Sequence, residues 1–524
     1  MADFDLLVRG GTVIDGTGAA RVAADVAVRG DRIVAVDALP AAAAAQVIDA
    51  RGLVVAPGFV DVHNHSDGWL LKTPHFVSKT LQGFTTEVLM SDGISYAPLT
   101  PELAPQWLYY LRSLNGLVQH DYCGWQSIAD YLALLDGRTV QNVVAQVPYA
   151  NVRVLTMGWG RTRPDDSQLR RMRYEVRRGM DEGATGVSTG MDYIAQCFAE
   201  TDELVEVIAA SSARAGVFVT HVRYKRGTLA GVREAVEIGR RAKVAVHISH
   251  LKGTSPRETD ELLRYIDTTA MNEVDFSFDI YPYLPGSSML NALLPYEVWE
   301  DGPLGALAKL ADPTFRRRFA TSLADSAVGF ENIRIAWLGT VDNQHWRGLS
   351  LADYINSVGR PAADALCDLL IEENLAVTCV WHLGDDRLVE PFLAHPCFML
   401  GSDGIYFPDA MTHPRQHGSA ARLLGPLVRE RRLFTLEEAV RKMTSIPADR
   451  FGLTDRGRVQ LGAFADLVLF DADAITDRAT FAEPQQNAIG IQHVLVNGTS
   501  IVADGVPIER FAGPLPGRAL RYRE

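Results

Sequence analysis

Pro57-Gly-Phe-Val-Asp-Val-His63-Asn-His65 is the stretch on which the reading of this chain turns. Phe59–His63 is a short β-prone run, and Asp61, His63 and His65 follow at i, i+2 and i+4. On a strand those three share one face, so both imidazoles can reach a single metal ion. A histidine pair alone is weak evidence, because many occur by accident. Two later runs end in the same way, Val217-Phe-Val-Thr-His221 and Val246-His-Ile-Ser-His250. His221, His250 and Asp279 recur at one spacing, 29 residues, near the ~31 residues per unit of a (β/α)8 barrel. His247, three residues before His250, is expected on the opposite face, in the core or against a helix. Asp403 in Phe398-Met-Leu-Gly-Ser-Asp403-Gly closes another apolar run, and by itself reads equally well as a turn or cap residue.

Outward from these runs, strands and helices alternate. Asp275–Tyr281, Val377–His382 and Phe398–Ser402 read as strands, while Thr201–Ala215 and Gly227–Ala242 carry helical patterns. That alternation predicts an α/β fold with parallel strands, a TIM-type (β/α)8 barrel spanning 57–455. Its length demands insertions, expected near 99–135 and 286–331. Both chain ends differ in style. Asp5–Arg9, Thr12–Ile14, Val26–Val28 and Arg32–Val36 are β-prone and punctuated by glycine turns; Ala465–Phe470, His493–Val496 and Thr499–Val502 repeat the pattern, with Asn497-Gly498 as a hairpin signal. Residues 1–56 and 456–524 are therefore expected to form two halves of one small β-sandwich. Ala41–Ala45 reads as a loop.

Composition narrows the function. The 524 residues are 47% hydrophobic and 22% charged, ordinary for a globular enzyme and too apolar for disorder. A net charge of −13 without basic runs argues against nucleic acid and anionic membrane surfaces. No apolar run approaches the ~20 residues of a membrane span, and the acidic start does not read as a signal peptide. The five cysteines, Cys123, Cys197, Cys367, Cys379 and Cys397, form no CxxC pair. They suggest the reducing cytoplasm and leave any metal to His, Asp and Glu.

These residues resemble the amidohydrolase superfamily, and within it the N-acyl-D-amino-acid deacylases (D-aminoacylases). The likeness runs nearly end to end: Gly83-Phe-Thr-Thr, Gly183-Ala-Thr-Gly-Val-Ser-Thr-Gly190, Thr220-His-Val-Arg223, Ile248-Ser-His-Leu-Lys252, Asp279-Ile-Tyr-Pro-Tyr283, Gly401-Ser-Asp-Gly404 and His413-Pro-Arg415. The resemblance implies that His63 and His65 ligate one metal position and His221 and His250 the other. Where the family carries a cysteine ligand, this chain has Asp92, a harder donor able to bridge two ions. Zinc is the expected metal, as one or two ions, with other divalent metals admitted by Asp92. Asp403 is implied at the metal as general acid and base. Lys252, Tyr283, Arg415 and Tyr193 are implied as contacts to the substrate carboxylate; by position, Arg223, two residues past His221, and Ser288, after the Tyr-Pro-Tyr stretch, are further candidate contacts. Tyr193 is followed by Ile-Ala-Gln-Cys197 instead of the family's Pro-Gly turn, and Arg223 by Tyr224-Lys225 instead of Asn-Glu.

The expected reaction is hydrolysis of a linear amide bearing a carboxylate. A metal lowers the pKa of bound water towards ~7 and polarises the amide oxygen, so hydroxide is available at neutral pH. Asp403 then relays the proton to the leaving amine. Another amidohydrolase reaction, cyclic amide opening or deamination, is the alternative, and a non-catalytic scaffold a remoter one. The resemblance also leaves room for a homo-oligomer.

Overall fold

Alternating branched apolar and polar residues pleat the first sixty positions into Phe4–Val13, Val22–Arg29, Arg32–Asp37, Ala44–Asp49 and Val54–Pro57. The computed structural model describes residues 3–324 and 329–523. Positions 1, 2 and 524, in the expected terminal halves, and 325–328, in the insertion expected at 286–331, lie outside the described residues. The runs Asp5–Arg9 and Thr12–Ile14 are one strand, bent by an irregularity between Val8 and Gly11. Ala44 and Ala45, expected as loop, begin the strand Ala44–Asp49. From the other end of the chain, Leu467–Phe470 pairs antiparallel with Val54–Pro57, and Ile491–Val496, Thr499–Ala503 and Val506–Pro507 extend the sheet. Asn497 and Gly498 both take positive φ (49° and 79°), the backbone of a two-residue hairpin turn. One nine-stranded sheet thus draws on both ends, over a core including Val8, Val26, Ile33, Val55, Leu467 and Leu495.

The middle of the chain is α/β. Phe59–Asp61, Phe84–Leu89 and Asn142–Ala145 form one parallel sheet. Val147–Pro148, Gly186–Gly190, Val217–His221, Ala245–Ile248, Phe276–Ile280 and Phe398–Leu400 form a second. Only Gln146 separates the two at one margin. At the other, Val62 N donates to Leu400 O (3.5 Å) and Asp403 N to His63 O (2.7 Å). Val60, Val88, Val144, Val217, Val219 and Met399, drawn from both sheets, share one apolar cluster with Ala448, Phe451 and Leu453. Helices Thr201–Ile208 and Thr228–Ala242 form as expected, the first tightening to a 3-10 turn at Ala209–Arg214.

Val377–Trp381 corrects the expectation made for Val377–His382. It is a strand, but it pairs antiparallel with Gly286–Met289 and Ile333–Leu338 in a separate three-stranded sheet. Apolar periodicity sets a strand's faces and leaves its partner to distant residues. Gly286–Met289, Ile333–Leu338 and Val377–Trp381 therefore form a sheet apart from the parallel strands, reaching beyond the 286–331 segment. Near 99–135, helices Ala104–Leu111 and Ile128–Ala133 stand between two parallel strands. The end of the chain also departs from the expected half-sandwich. Gly517 N, Leu520 N and Tyr522 N donate to Thr139 O, Val143 O and Gly183 O, placing the tail beside the parallel strands. Among the described residues no helix is long and apolar enough to cross a membrane.

Candidate metal centre

The strand Phe59–Asp61 stops two residues before His63, so pleat alternation does not carry through to His65. Asp61 accordingly turns away from the two histidines, a departure from the shared face expected of it. It forms a buried ion pair with Lys79 and accepts from Ser402 N (2.8 Å) and Ser402 Oγ (2.6 Å). His63 and His65 are held by the chain that follows Phe398–Leu400: Asp403 N donates to His63 O, and His65 N to Gly404 O (3.0 Å). Gly401 is needed for that approach, since a Cβ there would lie 2.6 Å from Asp279 Oδ1 and 2.8 Å from His63 Cβ.

Beyond Leu89 the chain turns through Met90 and Asp92 with φ of 65° and 58°; His250 and Asp403 also have positive φ, 39° and 48°. Such backbone costs ~1–3 kcal/mol per residue and collects at functional sites. Buried Asp67 steadies the turn by accepting from Met90 N (2.9 Å) and Ser95 Oγ (2.6 Å), and Gln196 Nε2 donates to Asp92 O (2.9 Å).

Asp92 stands among four imidazoles. Its Oδ1 is 3.6 Å from His63 Nε2 and 3.9 Å from His250 Nε2; its Oδ2 is 3.8 Å from His65 Nε2 and 3.9 Å from His221 Nδ1. Asp403 Oδ1 lies 3.3 Å from His65 Nε2 and 3.7 Å from His63 Nε2. Within each of the sets His63/His65/Asp92, Asp92/His221/His250 and His63/His250/Asp403, donor atoms lie within 4.8 Å of one another.

Acceptors behind the rings orient them. Asp279 Oδ2 is 3.4 Å from His63 Nδ1 and 3.0 Å from His247 Nε2, while its Oδ1 accepts from His250 N (2.9 Å). Tyr224 OH lies 3.0 Å from His250 Nδ1 and donates to Ser249 O (3.1 Å). Asp192 Oδ2 lies 3.6 Å from His221 Nε2. An outer acceptor keeps the proton on the far nitrogen and leaves the near one its lone pair. His247 is thus a buried support of Asp279, with Nδ1 2.9 Å from Ser277 Oγ.

The residues fit a divalent metal. Both ring nitrogens of His63 and Asp92 Oδ1 are buried without a hydrogen-bond partner, and His221 Nδ1 and His250 Nε2 face each other at 3.1 Å. Lone pairs so placed are costly unless a cation lies among them. Burial opposes charge on His63, but Asp279, Asp92 and Asp403 outweigh it and push the imidazole up to about 10, the mark of a site rich in negative charge. Burial, then the neighbouring His221, pushes His250 down to about 3, so this ring is neutral. Burial favours a neutral Asp403, yet the charges of Arg415 and His63 hold its carboxyl well below the usual range.

A cleft of about 340 Å³ opens onto these groups, lined among others by Lys252, Tyr281, Tyr193, Ser288, Leu293 and Trp381. Lys252 Nζ donates to Tyr281 OH (2.8 Å) and Leu284 O (2.7 Å); burial, then the Arg415 charge, pushes it down to about 7. Tyr193 OH lies 3.4 Å from Ser288 Oγ, and its ring packs on His221. Arg415 is fully buried behind the cleft, Nη1 2.8 Å from Asp403 Oδ2 and Nη2 donating to Ser287 O (3.1 Å).

Three residues named from sequence as substrate contacts do not line the cleft: Arg415, held behind it on Asp403, and Tyr283 and Arg223. Tyr283 OH donates to Asp477 Oδ2 (3.3 Å) and its ring faces Arg422, whereas Tyr281, the first tyrosine of Tyr-Pro-Tyr, lines the cleft. Arg223 is buried on Glu234 (3.0 Å) and donates to the carbonyls of Met191 (3.2 Å), Cys197 (3.1 Å) and Ala199, pinning the loop that carries Asp192 and Tyr193. Sequence reasoning passed over Asp192, Tyr224, Tyr281 and the supporting role of Asp279. Only Asp279 carried a signal, its 29-residue spacing from His250.

The chain belongs to the amidohydrolase family, whose profile matches residues 46–327 and 398–502. Among its relatives is the N-acyl-D-glutamate deacylase of Alcaligenes xylosoxydans xylosoxydans, 36% identical over 99% of this chain and 96% of that one. The D-aminoacylase of the same organism is 35% identical over 99% of this chain and 97% of its own. In structure the chain resembles N-acyl-D-glutamate deacylase from Bordetella bronchiseptica, solved with zinc and a phosphonate mimic of the tetrahedral intermediate. There the TM-score is 0.84 and the identity 33%, covering 99% of both chains.

Proposed function

We propose that this protein is a metal-dependent deacylase that hydrolyses the amide bond of N-acyl-D-amino acids or close amide analogues. The observation that carries this is the convergence of His63, His65, Asp92, His221, His250 and Asp403 beside a cleft lined by the half-buried Lys252. Those six residues would hold zinc, as one or two ions. A divalent metal there supplies Lewis acidity, polarising the amide oxygen and acidifying water. We read the two parallel sheets, continuous at both margins, as one (β/α)8 barrel over 57–455. The mixed terminal sheet is then a small β-sandwich domain built from 1–56 and 456–524, apart from the returning tail. The free cysteines suit a reducing compartment such as the cytoplasm.

The chain's own groups divide the chemistry. Lys252, with Tyr281 and Ser288 beside it, meets the α-carboxylate, the only charge of a simple N-acyl amino acid. Arg415 keeps Asp403 ionised from the Oδ2 side, leaving Oδ1 turned to the histidines. Asp403 Oδ1 accepts the proton as water adds to the acyl carbon, then delivers it to the departing nitrogen. Without that delivery the C–N bond would have to expel an amide anion. The test is turnover of a racemic panel of N-acyl amino acids by the zinc-loaded protein, with chiral analysis of the free amino acid. Release of D-amino acids is expected; no turnover of any linear N-acyl amino acid would sink the assignment.

A further inference from the structure

Behind the metal centre, a contact network joins one candidate ligand to the inserted wall of the cleft. Asp192 follows Gly186–Gly190 on the loop pinned by Arg223, and its carboxylate lines the cleft. Its Oδ2 lies 3.6 Å from His221 Nε2 and accepts from Lys225 N (3.3 Å). Its Oδ1 accepts from the hydroxyl of Tyr296, which lies in the inserted region. Lys225 Nζ in turn donates to Leu294 O (2.8 Å) and sits 4.7 Å from the centre of the Tyr296 ring. On its other side, His221 turns Nδ1 towards Asp92 and His250.

We propose that Asp192 is a positioning residue: its carboxylate holds the Nε2 proton of His221, aims Nδ1 at the metal site, and through Tyr296 latches the inserted wall to that ligand. The physical basis is general. A carboxylate on the far nitrogen of an imidazole fixes its tautomer and orientation and raises the basicity of the near nitrogen. Asp279 approaches His63 Nδ1 in the same way (3.4 Å) and the hydroxyl of Tyr224 faces His250 Nδ1, so with Asp192 three of the four imidazoles have an acceptor behind them.

The inference rests on the metal-binding reading above, and its test reads the metal directly. Metal-free protein is titrated with zinc against a chromophoric chelator, and the absorption of the cobalt(II)-loaded form is recorded. Asp192→Ala is expected to weaken binding of the ion at His221 and His250 by about 10- to 100-fold and to shift the cobalt bands. Asp192→Asn, which still offers an acceptor oxygen, recovers part of that loss, and Tyr296→Phe gives a smaller loss of the same sign. The melting temperature of each metal-free variant shows whether the fold is kept. Wild-type affinity and an unshifted spectrum in Asp192→Ala would overturn the proposal, as would lowered melting with unchanged affinity. A wild-type protein that binds no zinc would instead overturn the functional reading beneath it.

Discussion

Two buried charge clusters lie a few residues apart in this molecule and differ in one respect. Around Asp61 the polar groups are matched: Lys79, Ser402 N and Ser402 Oγ converge on the carboxylate, and Lys79 Nζ also donates to Ser402 Oγ (2.6 Å). Around Asp92, four imidazoles and a second carboxylate converge, yet His63 Nε2 and Asp92 Oδ1 have no partner. The first cluster is complete without a ligand and holds the base of the site. The second keeps unmatched donor atoms, the arrangement that the proposed metal site calls for. Burial and charge are common to both; what marks function is the unmatched lone pair.

Substitutions should separate the two clusters. Asp403→Asn removes the proton carrier and is expected to cut kcat of the zinc-saturated protein by about 10²–10⁴-fold, with weaker zinc binding and a lower denaturation midpoint because Arg415 loses its buried counter-charge. Near-normal kcat would remove Asp403 from the reaction. In the matched cluster, Lys79→Met leaves the buried Asp61 carboxylate with Ser402 but without its counter-charge, which is expected to cost about 3–5 kcal/mol in denaturant unfolding. Equal stability would show that this pair does not hold the fold. His417 is an intermediate case: Nδ1 lies 3.3 Å from Asn487 Oδ1, Nε2 has no partner, and burial pushes the ring down to about 4. The folded chain keeps it neutral, while the unfolded chain protonates it near 6.5. Its stabilising contribution is therefore intact above pH 6.5 and is lost as the pH falls towards 4, by about 3 kcal/mol. Unfolding of wild type and His417→Gln at pH 7 and pH 5 checks this, the variant losing less. The smallest effect belongs to substrate charge. Asp192 adds a carboxylate to the cleft wall, and Lys225 is committed to Leu294 O. N-acetyl-D-glutamine should therefore exceed N-acetyl-D-glutamate in kcat/KM by about 10-fold, the order of one screened charge contact, and Asp192→Asn should narrow the gap.

Several parts of this were legible from the chain alone. His221 and His250 end apolar runs, and an apolar run followed by a polar residue of catalytic type is a local pattern. Asp403 was readable in the same way. The Asp61 and Val377–Trp381 readings went astray for one shared reason: each assumed that strand periodicity fixes what lies opposite. Asp61 sits at the last residue of its strand, and its partner Lys79 comes from a separate helix, Val77–Thr80. Val377–Trp381 has sound strand character, but its neighbours are chosen by the inserted sheet. Tyr281 and Tyr283 show a different limit at one motif: residues two apart share a face on a strand, and this strand ends at Ile280, so only tertiary packing sends Tyr281 into the cleft and Tyr283 to Asp477.

The sequence by itself determined the donor types, their order along the chain and the strand ends that carry them, since these depend on residue identity and short-range periodicity. Only the tertiary structure decided which nitrogen of each imidazole faces inward, that Tyr281 and not Tyr283 enters the cleft, and that Arg223 braces a loop. Those outcomes depend on acceptors hundreds of residues away or in the next loop, and on hydrogen bonds and burial that no local pattern encodes.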